Sequence, residues 1–397
     1  MGDEKMGDVF QQSRYRINVI LLTVVGQWPF QETNQRRITF GVTLFFSCSL
    51  FVAQVRKVYF EGDDLSVVFE AVAPFIFEGI CASNLLNNVF NVGIMRQMLK
   101  FIEGDWKNIQ GEEKRILTAF ADEGYMLNVF YAVWIYGSMT LFLILPIVSK
   151  VIVAFGWANM SEAVRFQVPV DYYVDDHEYY VYLQMHLCIA VTLMCTIIIA
   201  SDIMFIMLVQ HACGMFSAVS HTLEHLVEDE DLELDLYPRR TDDETFWIVV
   251  DCIKKQNSAI KFTELLESGY CWSFFFVVGF NMGLLTFAGF QIIMHSDSVD
   301  EAIRQGLFTG GEMVHLFFEN YLSQRLTDHS LCVYEAINKA RWYKTSMRTR
   351  KLLNFMLLRS VIPCTLRAGK IYDLSMENFS KLVRTSVSYF TVLCSFQ

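Results

Sequence analysis

Apolar residues are gathered into long stretches along this chain, separated by segments that carry most of the charge. A helix that crosses a bilayer needs about 20 mostly apolar residues. Seven stretches approach that length: 38–55, 66–89, 125–153, 181–209, 270–294, 306–322 and 379–396. The pattern therefore predicts an all-α membrane protein with seven transmembrane helices.

The composition supports this prediction and excludes other classes. Apolar residues make up 53% of the 397 residues and charged residues only 19%, whereas soluble domains have about 45–50% and about 25%. The net charge of −11 argues against a nucleic-acid binder, which needs a basic face. The ten cysteines form no Cys-x-x-Cys pair, and most lie in apolar or predicted cytosolic segments, which favours free, reduced thiols.

The distribution of Lys and Arg predicts the orientation, because cytosolic loops carry an excess of both. With the N-terminus inside, segments 1–37, 93–124, 210–268 and 324–376 hold 25 of the 32 basic residues, and the outer loops hold 3. Arg56 and Lys57, at the end of the first span, would lie on the extracellular side and are exceptions to this rule. We therefore expect a cytosolic N-terminus and an extracellular C-terminus.

The segments between the spans predict cytosolic helices. Spans four, five and six are expected to continue into the cytosol, residues 322–360 read as one helix, and a capping-box pattern begins at Thr241. The predicted organisation has four parts: a cytosolic N-terminal segment at 1–37, six helices with their loops at 38–322, cytosolic anchor helices at 323–378 and a last transmembrane helix at 379–397.

The last stretch is too polar and too short for a helix surrounded by lipid. About 12 residues follow Arg384, the last charged residue, and they span about 18 Å of a hydrocarbon core of about 30 Å. One face of the helix carries Thr385, Ser388, Val392, Ser395 and Phe396. Several copies around an axis could line a conduit with hydroxyls, and an apolar constriction at Val392 and Phe396 could gate it by dewetting. Ordinary packing of Ser and Thr against neighbouring helices is the alternative.

The C-terminal block resembles the insect odorant receptors, a family of ligand-gated cation channels with seven spans and an internal N-terminus. The resemblance covers about 55 residues, and its parts are Trp342-Tyr343, Arg350 to Leu353, Pro363, Ala368-Gly369-Lys370, Leu374-Ser375 and Arg384 to Leu393. The related gustatory receptors end in Thr-Tyr, five apolar residues and Gln-Phe. Here Ser388 and Ser395 replace Thr and Gln, which favours the odorant branch, although a gustatory-type receptor channel remains an alternative.

The resemblance implies a function and partners. The chain would form a heterotetramer with odorant receptor co-receptor subunits in the plasma membrane of a sensory dendrite. It would bind small volatile odorants and pass cations along the last span, with a gate at Val392 and Phe396. The segment after span four has only about 60 residues and lacks the long insertion of the co-receptor, so the chain resembles an odour-tuning subunit.

The family's odorant pocket lies among spans two, three, four and six, in the outer half of the membrane. Such a pocket should be mostly apolar, with few polar groups. We expect it to be lined by Phe75, Gly79, Ala82, Trp134, Gly137, Ser138, Leu141, Leu187, Val191, Met194, Ile303, Leu307 and Phe308. Helix packing is the alternative for each of them.

Spans two and four carry the acidic residues Glu70, Glu78 and Asp202, and a charge inside a span is costly and often functional. Glu70 can reach the interface, whereas Glu78 and Asp202 need a structural partner or a role in ligand binding. Asn159 begins a glycosylation sequon in the second outer loop.

Two other functions share some of these features. A G-protein-coupled receptor also has seven spans, but that class has an external N-terminus, which the distribution of basic residues opposes. The motifs that are usual in that class are also absent from this sequence. A membrane enzyme would rest on His221, Glu224 and His225, which fit a short zinc-protease pattern. A polar helix face explains that pattern better, so we expect no enzyme, metal or cofactor.

Overall fold

The structure is a computed structural model that describes residues 8–154, 166, 168–175, 178–227, 235–294 and 299–395. Most of these residues are helical, and two short 3-10 helices (Asp8–Gln11 and Trp342–Lys344) and a two-stranded antiparallel hairpin complete the architecture. The α-helices are α1 Ser13–Val24, α2 Thr33–Glu61, α3 Leu65–Phe90, α4 Val92–Asn108, α5 Gly111–Ala154, α6 Tyr180–Glu224, α7 Glu244–Met294, α8 Val299–Lys339, α9 Met347–Ser360 and α10 Met376–Ser395. The strands are β1 Arg367–Ala368 and β2 Tyr372–Asp373.

The seven predicted spans correspond to α2, α3, α5, α6, α7, α8 and α10. As predicted, the helices of spans four, five and six continue well beyond the apolar stretches. Span three also belongs to a longer helix, because α5 begins at Gly111, and the sequence did not predict this extension. It also did not predict α1 or α4.

Five of the described helices are long and apolar enough to cross a membrane: α2, α3, α5, α6 and α7. The helices α8 and α10 fall short of that composition. In α8 the reason is a set of buried ionisable residues that includes Glu312 and His315, and in α10 it is the polar face with Lys381 and Arg384.

Helix α6 is the centre of the bundle and packs against α1, α2, α3, α5, α7 and α8. It is apolar on all sides, and such a helix is stable only when it is surrounded by protein or lipid. Here the chain itself encloses it, since 83% of its most apolar segment is buried. Two apolar clusters share this helix, a large one along most of the bundle and a smaller one at the end where α6 begins.

The opposite end is formed by the extensions of α7 and α8 with α9. Asp243 Oδ1 accepts a hydrogen bond from the amide of Phe246 at 3.1 Å, so Asp243 is the N-cap of α7. The predicted capping box at Thr241 is therefore wrong by two residues. Asp243 Oδ2 also accepts a hydrogen bond of 2.5 Å from Ser346, the N-cap of α9. One buried carboxylate thus fixes the start of two helices.

The predicted single helix over 322–360 is wrong, because α8 ends at Lys339 and α9 starts only at Met347. The hairpin that follows α9 leads into α10. Gly369 and Lys370 both have positive φ, +60° and +62°, as the central residues of type I′ turns do. A Cβ on Gly369 would lie 2.5 Å from the ring of Phe275 on α7, so only glycine fits here.

Candidate functional site

The smaller cluster lies between α2, α3, α5, α6, α7 and α8, and a chain segment, residues 166 and 168–175, covers it. We call it the loop-covered cluster. Its buried members are Leu50, Ala53, Ala73, Ile80, Cys81, Leu143, Val170, Leu187, Ala190, Val191, Met194, Cys195, Ile198, Val277 and Leu284. Phe77, Phe142 and Phe308 pack against it, with ring centroids of Phe308 5.8 Å from Phe77 and 6.3 Å from Phe142. Its members are thus mostly aliphatic and aromatic.

The covering segment is tied to α2. The amide of Asp171 donates a 3.0 Å hydrogen bond to the carbonyl of Ala53, and the Asp171 carboxylate pairs with Arg56 at 3.3 Å. The guanidinium of Arg56 also lies over the ring of Tyr173, 3.0 Å from its centroid. Arg56, which opposes the basic-residue rule, therefore has its partners within this segment.

Few polar groups approach the loop-covered cluster. His186 on α6 contacts the hydroxyls of Ser49 at 2.9 Å and Tyr172 at 3.0 Å. Glu78 on α3 accepts a 3.0 Å hydrogen bond from the side-chain amide of Gln54, and its second carboxylate oxygen has no hydrogen-bond partner in the part of the chain that the structure describes. The structural partner of Glu78 is thus a neutral amide. The other acidic residue of that helix, Glu70, is exposed.

Part of the predicted pocket lies in the loop-covered cluster. Leu187, Val191 and Met194 are buried in it, and Phe308 packs against it. Ser138 is half-buried and faces α8, where a Cβ on Gly311 would lie 3.7 Å from its hydroxyl oxygen.

Other predicted positions lie at helix contacts or on the surface. Phe75 is half-buried and its ring packs against Phe51, the ring of Phe280 fills the space beside Gly79, and Leu307 is half-buried. The exposed positions are Ala82, Trp134, Gly137, Leu141 and Ile303. The structure does not bring these five together with the enclosed residues.

The covering segment was not among the predicted site residues. Phe166, Val168, Val170 and Tyr172 alternate with polar residues or proline, and all four pack in or against the loop-covered cluster. That alternation was a readable signal, since a period of two places one face of an extended segment on a core.

A second feature is α10, which packs mainly against α7 and α8. Leu382 and Ser386 are buried there, and the ring of Phe390 would lie 3.5 Å from a Cβ on Gly289 of α7. The residues predicted to face the pore lie elsewhere: Thr385, Ser388 and Val392 are all exposed. The side chain of Ser395 and the whole of Phe396 lie outside the described residues, as does Asn159.

The exposed hydroxyls of α10 donate to their own helix. Thr385 donates to the carbonyl of Lys381 at 2.8 Å, and Ser388 donates to that of Arg384 at 2.9 Å. Each hydroxyl oxygen keeps lone pairs that can accept from water or contact a cation.

A family model described as 7tm Odorant receptor matches residues 64–387, from the start of α3 into α10. This chain belongs to the insect odorant receptor family. The fold agrees: the chain is similar to the solved structure of the olfactory receptor OR5 from Machilis hrabei in complex with eugenol, with a TM-score of 0.79 and 12% identity over 98% of this chain and 99% of that one. The seven-helix membrane fold that the sequence predicted is thereby confirmed.

Among odorant receptors of Drosophila melanogaster, receptor 13a is 18% identical over 96% of this chain and 95% of its own length. Receptor 82a is 28% identical, but the match spans only about a third of each chain, 31%. The similarity is thus low along the whole chain and higher over a part of it.

The family consists of receptors, and the short zinc-protease pattern has a structural explanation in this odorant receptor. The rings of His221 and His225 stack with centroids 4.3 Å apart. Glu224 points to Lys339 on α8, at 3.3 Å. The carboxylate is therefore engaged in an ion pair between two helices.

Proposed function

We propose that this chain is an odour-tuning subunit of a ligand-gated, non-selective cation channel of the plasma membrane, assembled with co-receptor subunits. The observation that carries the proposal is the one-sided packing of α10. A membrane helix must satisfy its polar side with protein or water, and the described residues of this chain leave the side with Thr385 and Ser388 exposed. An aqueous path between subunits would satisfy it.

In this proposal, odorants bind in the loop-covered cluster at the extracellular end. Its aromatic and aliphatic lining with few polar groups suits a small, largely apolar volatile. The relative OR5, whose fold is similar, binds eugenol according to its structure. The ion pair of Arg56 with Asp171 supports the assignment of this end to the outside, because it accounts for the basic residue that opposes the charge rule.

Helix α7 would transmit binding to the pore. Its residues Val277 and Leu284 are buried in the loop-covered cluster. The carbonyl of Met282 accepts a 3.4 Å hydrogen bond from Ser386 of α10, and Gly289 contacts Phe390. A ligand that binds better when α7 is displaced would shift the population toward the open state, with Val392 and Phe396 moving apart.

Expression with and without the co-receptor, with currents recorded for a panel of volatiles, tests this proposal. We expect rapid cation currents that require this chain and persist when G-protein signalling is blocked. Met194→Ala should shift the odorant concentration for half-maximal current, while Val392→Ala should change conductance or block and leave that concentration nearly unchanged. Responses that disappear with G-protein signalling, or the same current without this chain, would contradict the proposal.

A further inference from the structure

Four ionisable side chains are buried together where α6 meets α8: Asp202, Glu312, His315 and Glu319. Their exposed fractions are 7%, 6%, 2% and 3%. Asp202 is on α6, and the other three residues are on α8, where Glu312 directly follows Gly311, the residue that faces Ser138. The group is thus next to the loop-covered cluster, but its neighbours in the chain, such as Ile203 and Leu316, belong to the larger cluster. The hydroxyl of Tyr131 on α5 donates a hydrogen bond to Asp202 Oδ2.

The distances within this group are long for hydrogen bonds. His315 Nε2 lies 3.3 Å from Asp202 Oδ2 and 3.5 Å from Glu319 Oε1, whereas N–H···O bonds are about 2.7–3.2 Å long. Among the described residues, neither ring nitrogen of His315 finds a hydrogen-bond partner, and the same holds for Glu312 Oε2 and Glu319 Oε2. Buried polar atoms are nearly always satisfied, so these unpartnered atoms need an explanation.

The charges of this group favour a bound cation. Among the ion pairs of the described residues, the three carboxylates pair with His315 and with no Lys or Arg. One imidazole cannot neutralise three carboxylates, and a buried charge persists only when it is paired or bound to a metal.

We propose that Asp202, His315 and Glu319 bind a divalent transition-metal cation of the Zn²⁺ class. Their donor atoms lie within 4.8 Å of one another. Donors at about 2.0–2.1 Å from a tetrahedral Zn²⁺ are about 3.3 Å apart, close to both distances from His315 Nε2. The imidazole donor selects against Mg²⁺ and Ca²⁺, which prefer oxygen ligands alone.

The surrounding groups fit this assignment. The second ring nitrogen of His315, Nδ1, faces Glu312 Oε2 at 3.7 Å. A carboxylate near the second ring nitrogen is the usual outer partner of a metal-binding histidine. Metal-binding carboxylates also accept hydrogen bonds from outer groups, and here Tyr131 donates one to Asp202. The bound ion would therefore join α5, α6 and α8 beside the odorant-binding region.

The metal content of the purified full-length chain tests the proposal independently of any channel activity. The protein in detergent is incubated with Zn²⁺, desalted and analysed by mass spectrometry of the metal. We expect about one zinc per wild-type chain and at least a tenfold loss in His315→Gln and Glu319→Gln. His329→Gln, on the same helix but outside the group, is the matched control and should keep its zinc.

Two results would overturn the proposal: a wild-type chain that retains less than about one tenth of an equivalent, as protons shared among the carboxylates would require, or zinc that remains in His315→Gln. Size-exclusion chromatography shows whether each variant is folded. If the variants do not fold, Co²⁺ decides the question in the wild type. We expect visible absorption of four-coordinate Co²⁺ that Zn²⁺ displaces, and its absence would also overturn the site.

Discussion

Helices α6 and α10 both belong to the membrane bundle, but they differ in how far the rest of the chain buries them. The most apolar segment of α6 is 83% buried within its own chain, whereas α10 contacts α7 and α8 with the side of Leu382 and Ser386 and leaves Thr385, Ser388 and Val392 exposed. The first helix is complete within one subunit. The second needs a surrounding that the described residues of this chain do not supply, and the proposed channel of several subunits would supply it.

The largest expected difference between the two helices is the loss of stability when a large aromatic side chain is replaced by alanine. Phe216 on α6 is 1% exposed, while Tyr389 on α10 is 53% exposed. Phe216→Ala should lower the free energy of unfolding by about 3–5 kcal/mol, because it leaves a cavity, and Tyr389→Ala should lower it by less than about 1 kcal/mol. Unfolding in detergent with increasing denaturant measures both. Equal losses would show that α10 is enclosed as tightly as α6.

A smaller effect concerns the turn that leads into α10. Gly369 and Gly111 both have a φ of +60°, but only Gly369 is crowded, by Phe275. Gly111→Ala should cost about 1 kcal/mol, from the left-handed backbone conformation. Gly369→Ala should cost about 1–3 kcal/mol more, because the ring of Phe275 must move. The thermal midpoints of the two variants give the comparison, and equal shifts would mean that the hairpin does not hold α10 against α7.

The smallest effect is a pH dependence in the contact between α6 and α8. Burial, with a further contribution from Arg325, lowers the pKa of His329 from its ordinary value of 6.5, and its ring contacts the hydroxyl of Ser217 at 2.9 Å. The unfolded chain then binds a proton that the folded chain does not, so stability should fall as the pH drops below 6.5 and level off once the folded histidine is protonated.

The thermal midpoint measured between pH 7.5 and about 5.5 checks this sign. His329→Gln should show a weaker decrease than the wild type over that range. If both decrease in parallel, His329 does not titrate as its burial implies.

The sequence predicted the helices better than the site, and the reason is physical. A span is a local property of about 20 residues, so the apolar stretch that became α6 was readable directly. A helix that is apolar all round does not reveal which of its faces lines a pocket. Leu187 and Met194 are enclosed, while Trp134 and Leu141, chosen by the same spacing, are exposed. Periodicity identifies the apolar face of a helix but not the residues that this face contacts.

Contacts between residues that are distant in the chain could not be predicted from the sequence either. Asp202 was recognisable as a costly charge, but its contact with His315 joins two helices more than a hundred residues apart. The ionisable residues on α8 make that stretch less apolar than the other spans, although they are buried. The polar composition of α10, by contrast, led directly to its exposed face, because no long-range contact was needed to see it.

The central claim is that the exposed face of α10 borders the ion path, and two serines of the same helix test it most directly. Ser388 is exposed and Ser386 is 3% exposed. Each is changed to cysteine, and the channel is expressed with the co-receptor and treated with a charged thiol reagent during odorant stimulation. We predict irreversible loss of current for Ser388→Cys, and no loss for Ser386→Cys or the wild type with its native cysteines. Unchanged current in Ser388→Cys, with labelling of that cysteine confirmed, would contradict the account.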